Sequence, residues 1–160
     1  MKLWDASNGE CTHSLVLGEV EKAIFFPDGF HLALELRNTG VIYNVQTGTL
    51  VATLQQEGGE HMRLAMTRQG DQILTGTHDG KAKIWDAVTG EGSVELDGQT
   101  DTITSVTFSP DGAEVAIASA DCTVVTCDSQ TDQRRHVWRM SSEAWSVAYS
   151  PSGNYIAMGD

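Results

Sequence analysis

Four segments of this chain end in the same kind of turn at nearly constant intervals. They are Val20–Gly29 (VEKAIFFPDG), a degenerate stretch closing on Thr67, Arg68, Gln69 and Gly70, Ile103–Gly112 (ITSVTFSPDG) and Ala144–Gly153 (AWSVAYSPSG). Their turn glycines, Gly29, Gly70, Gly112 and Gly153, stand 41, 42 and 41 residues apart. A period of that length means one supersecondary unit repeated along the chain, each copy burying its apolar surface against the next.

A second motif runs in phase with the first. Lys83, Ile84, Trp85 and Asp86 precede Val88, Thr89 and Gly90, and weaker relatives of this pattern surround Trp4 and Asp5, Tyr43 and Asn44, and Cys127 and Asp128. Measured at Trp4, Tyr43, Trp85 and Cys127, the steps are 39, 42 and 42 residues. Repeats of about 40–45 residues ending in Trp-Asp mark four-stranded propeller blades. Over essentially its full length the chain resembles the WD-repeat β-propeller family. The fold class expected is therefore all-β, a propeller of four-stranded antiparallel blades.

Within each period, short alternating runs are separated by turn signals such as Pro27, Asp28 and Gly29, in which Pro presets φ and Gly supplies positive φ. No window carries apolar residues at a helical period, so no helix is expected. With the strands of a blade labelled a to d from the axis outwards, residues 1–17 read as strands c and d of a split blade. Residues 20–54, 60–96 and 101–139 read as whole blades, and residues 143–160 as strands a and b of a split blade. Supplying the four residues that correspond to His78–Lys81 would bring the length to four periods of 41. This phase leaves apolar strand edges at both ends, which invite pairing. Two chains closing an eight-bladed ring as a homodimer, or a segment of a longer propeller, satisfy those edges equally well. Closure as a four-bladed ring ranks below both.

Composition limits function more than fold. Net charge is −12, from 22 acids against 10 bases. That argues against nucleic acid, whose binding rests on Lys and Arg neutralising phosphate, and favours basic partners. The longest purely apolar run, Ala23–Phe26, falls far short of the roughly 20 residues of a membrane span. No signal peptide or glycosylation sequon is evident. Three cysteines, Cys11, Cys122 and Cys127, give an odd count, and Cys122 and Cys127, if on one strand, point to opposite faces. A reducing, intracellular setting follows, cytoplasmic or nuclear. His13, His31, His61, His78 and His136 form no metal-ligand spacing. A nucleophile elbow and a phosphate-cradling loop are both absent, so no cofactor, metal or catalytic residue is assigned and an enzyme is not expected.

The resemblance implies a structural set in each blade: the Asp of the b–c turn, a Ser or Thr on strand b, the Trp of strand c, and a His before strand a. Asp79, Thr77 (or Thr75) and Trp85 match it in one blade. Asp121 and Ser119 match it in the next, where Cys127 replaces the Trp. Trp4, Asp5 and Asp86 complete the structural residues. The His is missing: Gln99, after Gly98, stands where it belongs, so a propeller less rigid than the family norm is expected. The resemblance also implies that partners dock on the narrow face, through the first residues of strand a and the residue before the b–c Asp. Those positions are Glu19, Glu21, Glu60, Met62, Thr102, Thr104, Glu143 and Trp145, with Leu36, His78 and Ala120 at the turns. Four of the eight strand residues are Glu, beside apolar anchors Met62 and Trp145. An acidic rim with an aromatic suits a basic peptide. The expected function is a non-catalytic protein-interaction scaffold. The alternatives are a self-assembly module, or fragment completing a larger propeller, and then a propeller enzyme.

Overall fold

The computed structural model describes residues 1–56, 62–96 and 98–160. Each alternating run becomes a strand, and five antiparallel sheets follow one another along the chain. The opening sheet has two strands, β1 (Lys2–Trp4) and β2 (Cys11–Ser14). Three four-stranded sheets come next: β3 (Val20–Phe25), β4 (His31–Leu36), β5 (Gly40–Asn44) and β6 (Thr49–Leu54); β7 (Arg63–Met66), β8 (Gln72–Gly76), β9 (Ala82–Asp86) and β10 (Gly92–Leu96); β11 (Ile103–Phe108), β12 (Glu114–Ser119), β13 (Thr123–Asp128) and β14 (Arg134–Arg139). The closing sheet pairs β15 (Ser146–Tyr149) with β16 (Ile156–Gly159). Every strand pairs with its sequence neighbour, so each four-stranded sheet is a meander, or blade. No helix forms among the described residues, and the all-β propeller expectation holds.

Both faces of the middle strands are apolar because both are covered. Ile73 packs toward Ala33, Ile42 and Leu54 of the first blade, while its neighbour Leu74 packs toward Ile103, Val106 and Ile117 of the third. Successive strand residues point to opposite faces, so one strand serves two interfaces. The same division places Leu34 against Leu3 and Leu17 of the opening sheet, and Val124 against Ala144 and Val147 of the closing one. Four apolar layers thus join five sheets in order, and none of these layers brings the opening sheet onto the closing one. The described chain is an arc of blades rather than a closed four-bladed ring.

Acidic turns fix the register. After β9 the carboxylate of Asp86 accepts hydrogen bonds from the amides of Val88 and Thr89 at 2.9 and 2.7 Å. Asp128 does the same for Gln130 and Thr131, Asp5 for Ser7, and Asn44 for Gln46 and Thr47. The Asp that follows the Trp position is therefore a turn cap, its side chain mimicking a backbone acceptor. Between strands a and b the glycines Gly29, Gly70, Gly112 and Gly153 hold φ of 71° to 76°, a region costly to residues with a Cβ. At Gly70 a Cβ would also meet Pro27 Cδ at 2.5 Å. Cys122 takes φ 64° at the turn where the preceding blade has Gly80. It therefore precedes β13 rather than sharing a strand with Cys127, and all three cysteines are free thiols.

The Trp position is occupied unequally. Trp85 is 5% exposed and donates its Nε1–H to Thr75 Oγ1 at 2.8 Å. Trp4, named with it among the structural residues, is largely exposed on the opening sheet, under the Lys2 ammonium. Cys127 is fully buried, and burial pushes its thiol up to about 11.

Replacing Trp85 by Ala is predicted to cost about 3–5 kcal/mol. Trp145→Ala, at a position 63% exposed, should change stability by no more than about 0.5 kcal/mol. Denaturant unfolding of the two variants checks the contrast, and equal losses would contradict it. A second prediction concerns acid. Hydrogen bonds from the Thr89 amide and hydroxyl and the Val88 amide hold the Asp86 carboxyl below its ordinary value. Those from the Gln130 amide, Arg135 and Thr131 do so for Asp128. Folded values depressed in this way contribute stability that is complete above the unfolded value of about 3.9 and lost as pH falls through the folded ones. The Tm should therefore drop below about pH 4. A double Asp86→Asn, Asp128→Asn variant, capped as Asn44 caps its own turn, should flatten that drop in thermal melts.

Candidate protein-interaction rim

The turns after strand b and the starts of strand a share one face of the arc, and most of the rim positions named from sequence lie there as surface. Glu19, Glu143 and His78 are exposed, and Trp145 presents its indole to solvent while its amide donates to Gly159 O at 2.8 Å. Thr102 is half-buried and donates through both its amide and its hydroxyl to the Asp101 carboxylate. Leu36 and Ala120 are half-buried at their turns. Glu60 lies outside the described residues.

Three positions differ from a simple acidic rim. Met62 is 0% exposed, so it is no surface anchor. Its side chain turns inward because Gly40, at the start of β5, leaves room: a Cβ there would meet Met62 Sδ at 3.3 Å and Leu54 Cδ1 at 3.1 Å. Thr104 points between blades, where its hydroxyl reaches the carbonyls of Ala118 and Ala144. Glu21 pairs with Arg63 at 3.0 Å, so part of its charge is neutralised within the protein.

Arg63 and Glu35 were not singled out from the sequence, yet they organise the ground beneath the rim. Glu35 is buried, accepting from Arg63 Nη1 at 3.1 Å and from the Leu64 amide at 2.9 Å. Burial pushes its carboxyl up, opposed by the Arg63 hydrogen bond and by the charge of Lys22. Arg63 also donates Nε–H to Thr104 O of the third blade at 3.1 Å. The residue at the same strand position one blade earlier, Lys22, donates to Leu64 O at 2.8 Å; one blade later, Ser105 Oγ accepts from the Val147 amide at 3.4 Å. One register position thus ties each inner strand to the next blade's backbone. The signal was available as a polar residue, Lys, Arg, Ser, recurring at Lys22, Arg63 and Ser105.

The structural set is built differently from its sequence reading. In the second blade Trp85 bonds Thr75, and Thr75 donates to Gln56 Oε1 at 2.7 Å. Thr77 instead donates to Asp79 at 2.6 Å, and Asp79 pairs with Lys81. In the third blade Thr123 donates to Gln99 Oε1 at 2.9 Å, and Asp121 accepts from the amides of Thr100 and Thr123. Ser119 Oγ accepts from the Asp121 amide and donates to Asp101 O, leaving the Asp121 carboxylate to these other donors. A glutamine amide therefore joins each network before strand a. The linker into β7 is longer than the one into β11, so Gln56 does not stand at the spacing of Gln99.

Among the described residues the face carries charge, hydroxyls and the exposed indole of Trp145. Among the described residues no three His, Cys, Asp or Glu side chains gather as metal ligands, and no helix is long and apolar enough to cross a membrane.

Comparison with known proteins agrees with this architecture. The family profile described as "WD domain, G-beta repeat" matches residues 48–86 and 90–128. The chain is 36% identical over 124 residues to the WD repeat-containing protein SL1-17 of Schistosoma mansoni, a match that covers 74% of this chain and 40% of that protein. It is 30% identical over 89 residues to eukaryotic translation initiation factor 3 subunit I of Vanderwaltozyma polyspora, covering 56% of this chain and 26% of that one. In both cases it spans less than half of the relative's length. In fold it is similar to a chain in the crystal structure of a mitotic checkpoint complex, with a TM-score of 0.83 at 20% identity over 99% of this chain and 50% of that one. With repeat spacing, capped turns and blade order all in agreement with these matches, the chain belongs to the WD-repeat family of β-propeller proteins.

Proposed function

We propose that the chain is a non-catalytic interaction scaffold that docks a protein partner on the narrow rim, and that this rim selects basic segments. The observation that carries the reading is Trp145, a large apolar side chain left in solvent beside the exposed Glu143. Trp is enriched among interface hot spots once a partner covers it, and it can stack on an Arg or Lys. Glu19 and the partly screened Glu21 extend the negative field, and the net charge of −12 raises encounter rates with cations. Membership of an assembly is supported by two similar proteins: one is by name a subunit of a translation initiation factor, the other a component of a mitotic checkpoint complex. An intracellular location fits both names.

A second reading concerns completion of the propeller. β1 and β16 each pair on one side only. A second copy of the chain, or a further stretch of the same propeller, would supply the missing strands, and open apolar edges favour such pairing.

For the rim, a panel of nine-residue Arg/Lys-rich and Asp/Glu-rich peptides is measured at low and high salt. Basic peptides should bind, with association slowed by salt because the Debye length shrinks from about 30 Å at 0.01 M to 8 Å at 0.15 M. Charge reversal at Glu19 and Glu143 should slow association, while Trp145→Ala should weaken binding about tenfold through faster dissociation. Salt-insensitive binding, or binding that survives all three substitutions, would sink the rim assignment. For completion, light scattering of the chain should report twice its mass of 17.3 kDa; a monodisperse monomer would count against the homodimer.

A further inference from the structure

The opposite face, formed by the turns between strands a and b and between strands c and d, has inter-blade clefts between the first and second blades, the second and third, and the third blade and the closing sheet. Repetition makes these clefts comparable residue by residue. The one between the first and second blades is lined by Phe26, Pro27, Val51, Ala87 and Val88, with Asp28 and His31 at its mouth. The one between the second and third is lined by polar groups, among them Thr67, Asp71, Gln72, Asp111 and Gln130.

Three substitutions within the repeat create the difference. Phe26 occupies the position held by Thr67, Ser109 and Ser150 in the other turns. Thr67 and Ser109 use their hydroxyls to bond the following turn, at Asp71 and Asp111. Val51 is the unpaired residue of the bulge in β6, the position of Thr12, Ser93 and Arg135 in the other outer strands. Thr12 and Ser93 donate there to the carbonyls of Leu3 and Ile84, at 3.2 and 3.1 Å, and Arg135 reaches Asp128 and Glu114. Val88 stands where the corresponding turns have Ser7, Gln46 and Gln130. No other repeat has an apolar side chain at any of these three places, yet here Phe26 and Val51 of the first blade and Val88 of the second line the same cleft. Val51 and Val88 are 44% and 76% exposed, so apolar area is left in water.

We infer that this cleft is a second docking site, on the face away from the rim, and that it takes one large apolar side chain of a partner peptide flanked by Arg or Lys. Its volume, about 240 Å³, is below the roughly 300–1,000 Å³ of small-molecule sites, which favours a side chain over a metabolite. The flanking cation follows from Asp28. Its carboxyl is held below the ordinary value by His31, whose Nδ1 lies 2.6 Å away, and by the Phe30 amide, so it stays ionised at the mouth. Apolar contact within and charge at the mouth match an anchor residue with a polar rim.

The test uses the whole chain with isotope-labelled methyl groups. Probes are nine-residue Gly/Ser peptides bearing one central Leu or Phe between two Arg, and the same peptides with two Asp or with central Ser. The Arg-flanked Leu or Phe peptides should shift the Val51, Val88 and Ala87 methyl signals saturably; the Ser and Asp versions should not. Val51→Ser installs the residue that β10 carries at the same bulge, so the fold should be kept, and affinity should fall at least tenfold. Val88→Gln, copying Gln46 and Gln130, should do the same. Trp145→Ala should leave cleft binding unchanged, which separates this site from the rim. No methyl shift with any peptide, equal binding of Arg- and Asp-flanked versions, or full affinity in Val51→Ser would each overturn the proposal.

Discussion

A blade is a four-stranded sheet with two apolar faces, and it cannot cover either face by itself. Everything else in this molecule depends on that. The strands carrying Ile73 and Leu74, or Val124 and Val125, split their side chains between two neighbours, so each blade is stable only between two others. Burial of this kind, about 1.5–3 kcal/mol for a fully buried Leu, Ile or Val, supplies the attraction but has no preferred rotation about the interface. Orientation comes from polar contacts at fixed places.

Those contacts are of two types. At the inner strands Lys22, Arg63 and Ser105 each bond the backbone of the next blade. Beneath the rim, the Ile103 amide donates to Thr77 O and the Ala144 amide to Ser119 O, repeating the same junction one blade on. Arg63 also neutralises the buried Glu35, which would otherwise be an unpaired charge in an apolar interface. The rim therefore stands on a frame that its own charges help to hold, and Glu21 belongs to both.

The fold was legible because its signals are local and recur. Turn glycines, capping Asp residues and alternating strands lie within a few positions of one another, and each copy reinforces the phase of the rest. The candidate rim was less legible. Met62 shares its register with the exposed Trp145, but its burial depends on Gly40, a residue of another blade whose missing side chain makes the space. Arg63 and Glu35 meet across 28 residues, and nothing near either one in sequence announces the pairing. Gln56 takes its place through a hydrogen bond to Thr75 that no spacing rule foretells, because the linker length differs between blades. What periodicity reports is the position of the backbone; which side chains meet across an interface depends on volumes contributed by two repeats at once.

Cys127 sits where Trp85 sits one blade earlier, fully buried and with its thiol pushed far from ionisation. Alkylating reagents attack the thiolate, so in the folded chain this sulfur is silent while the exposed Cys11 reacts. Its modification must wait for the third blade to open. The loss of a tryptophan has thus left a chemical clock in the molecule: the rate at which Cys127 becomes labelled counts the excursions of one blade out of the stack, at a place where the other blades offer no comparable handle.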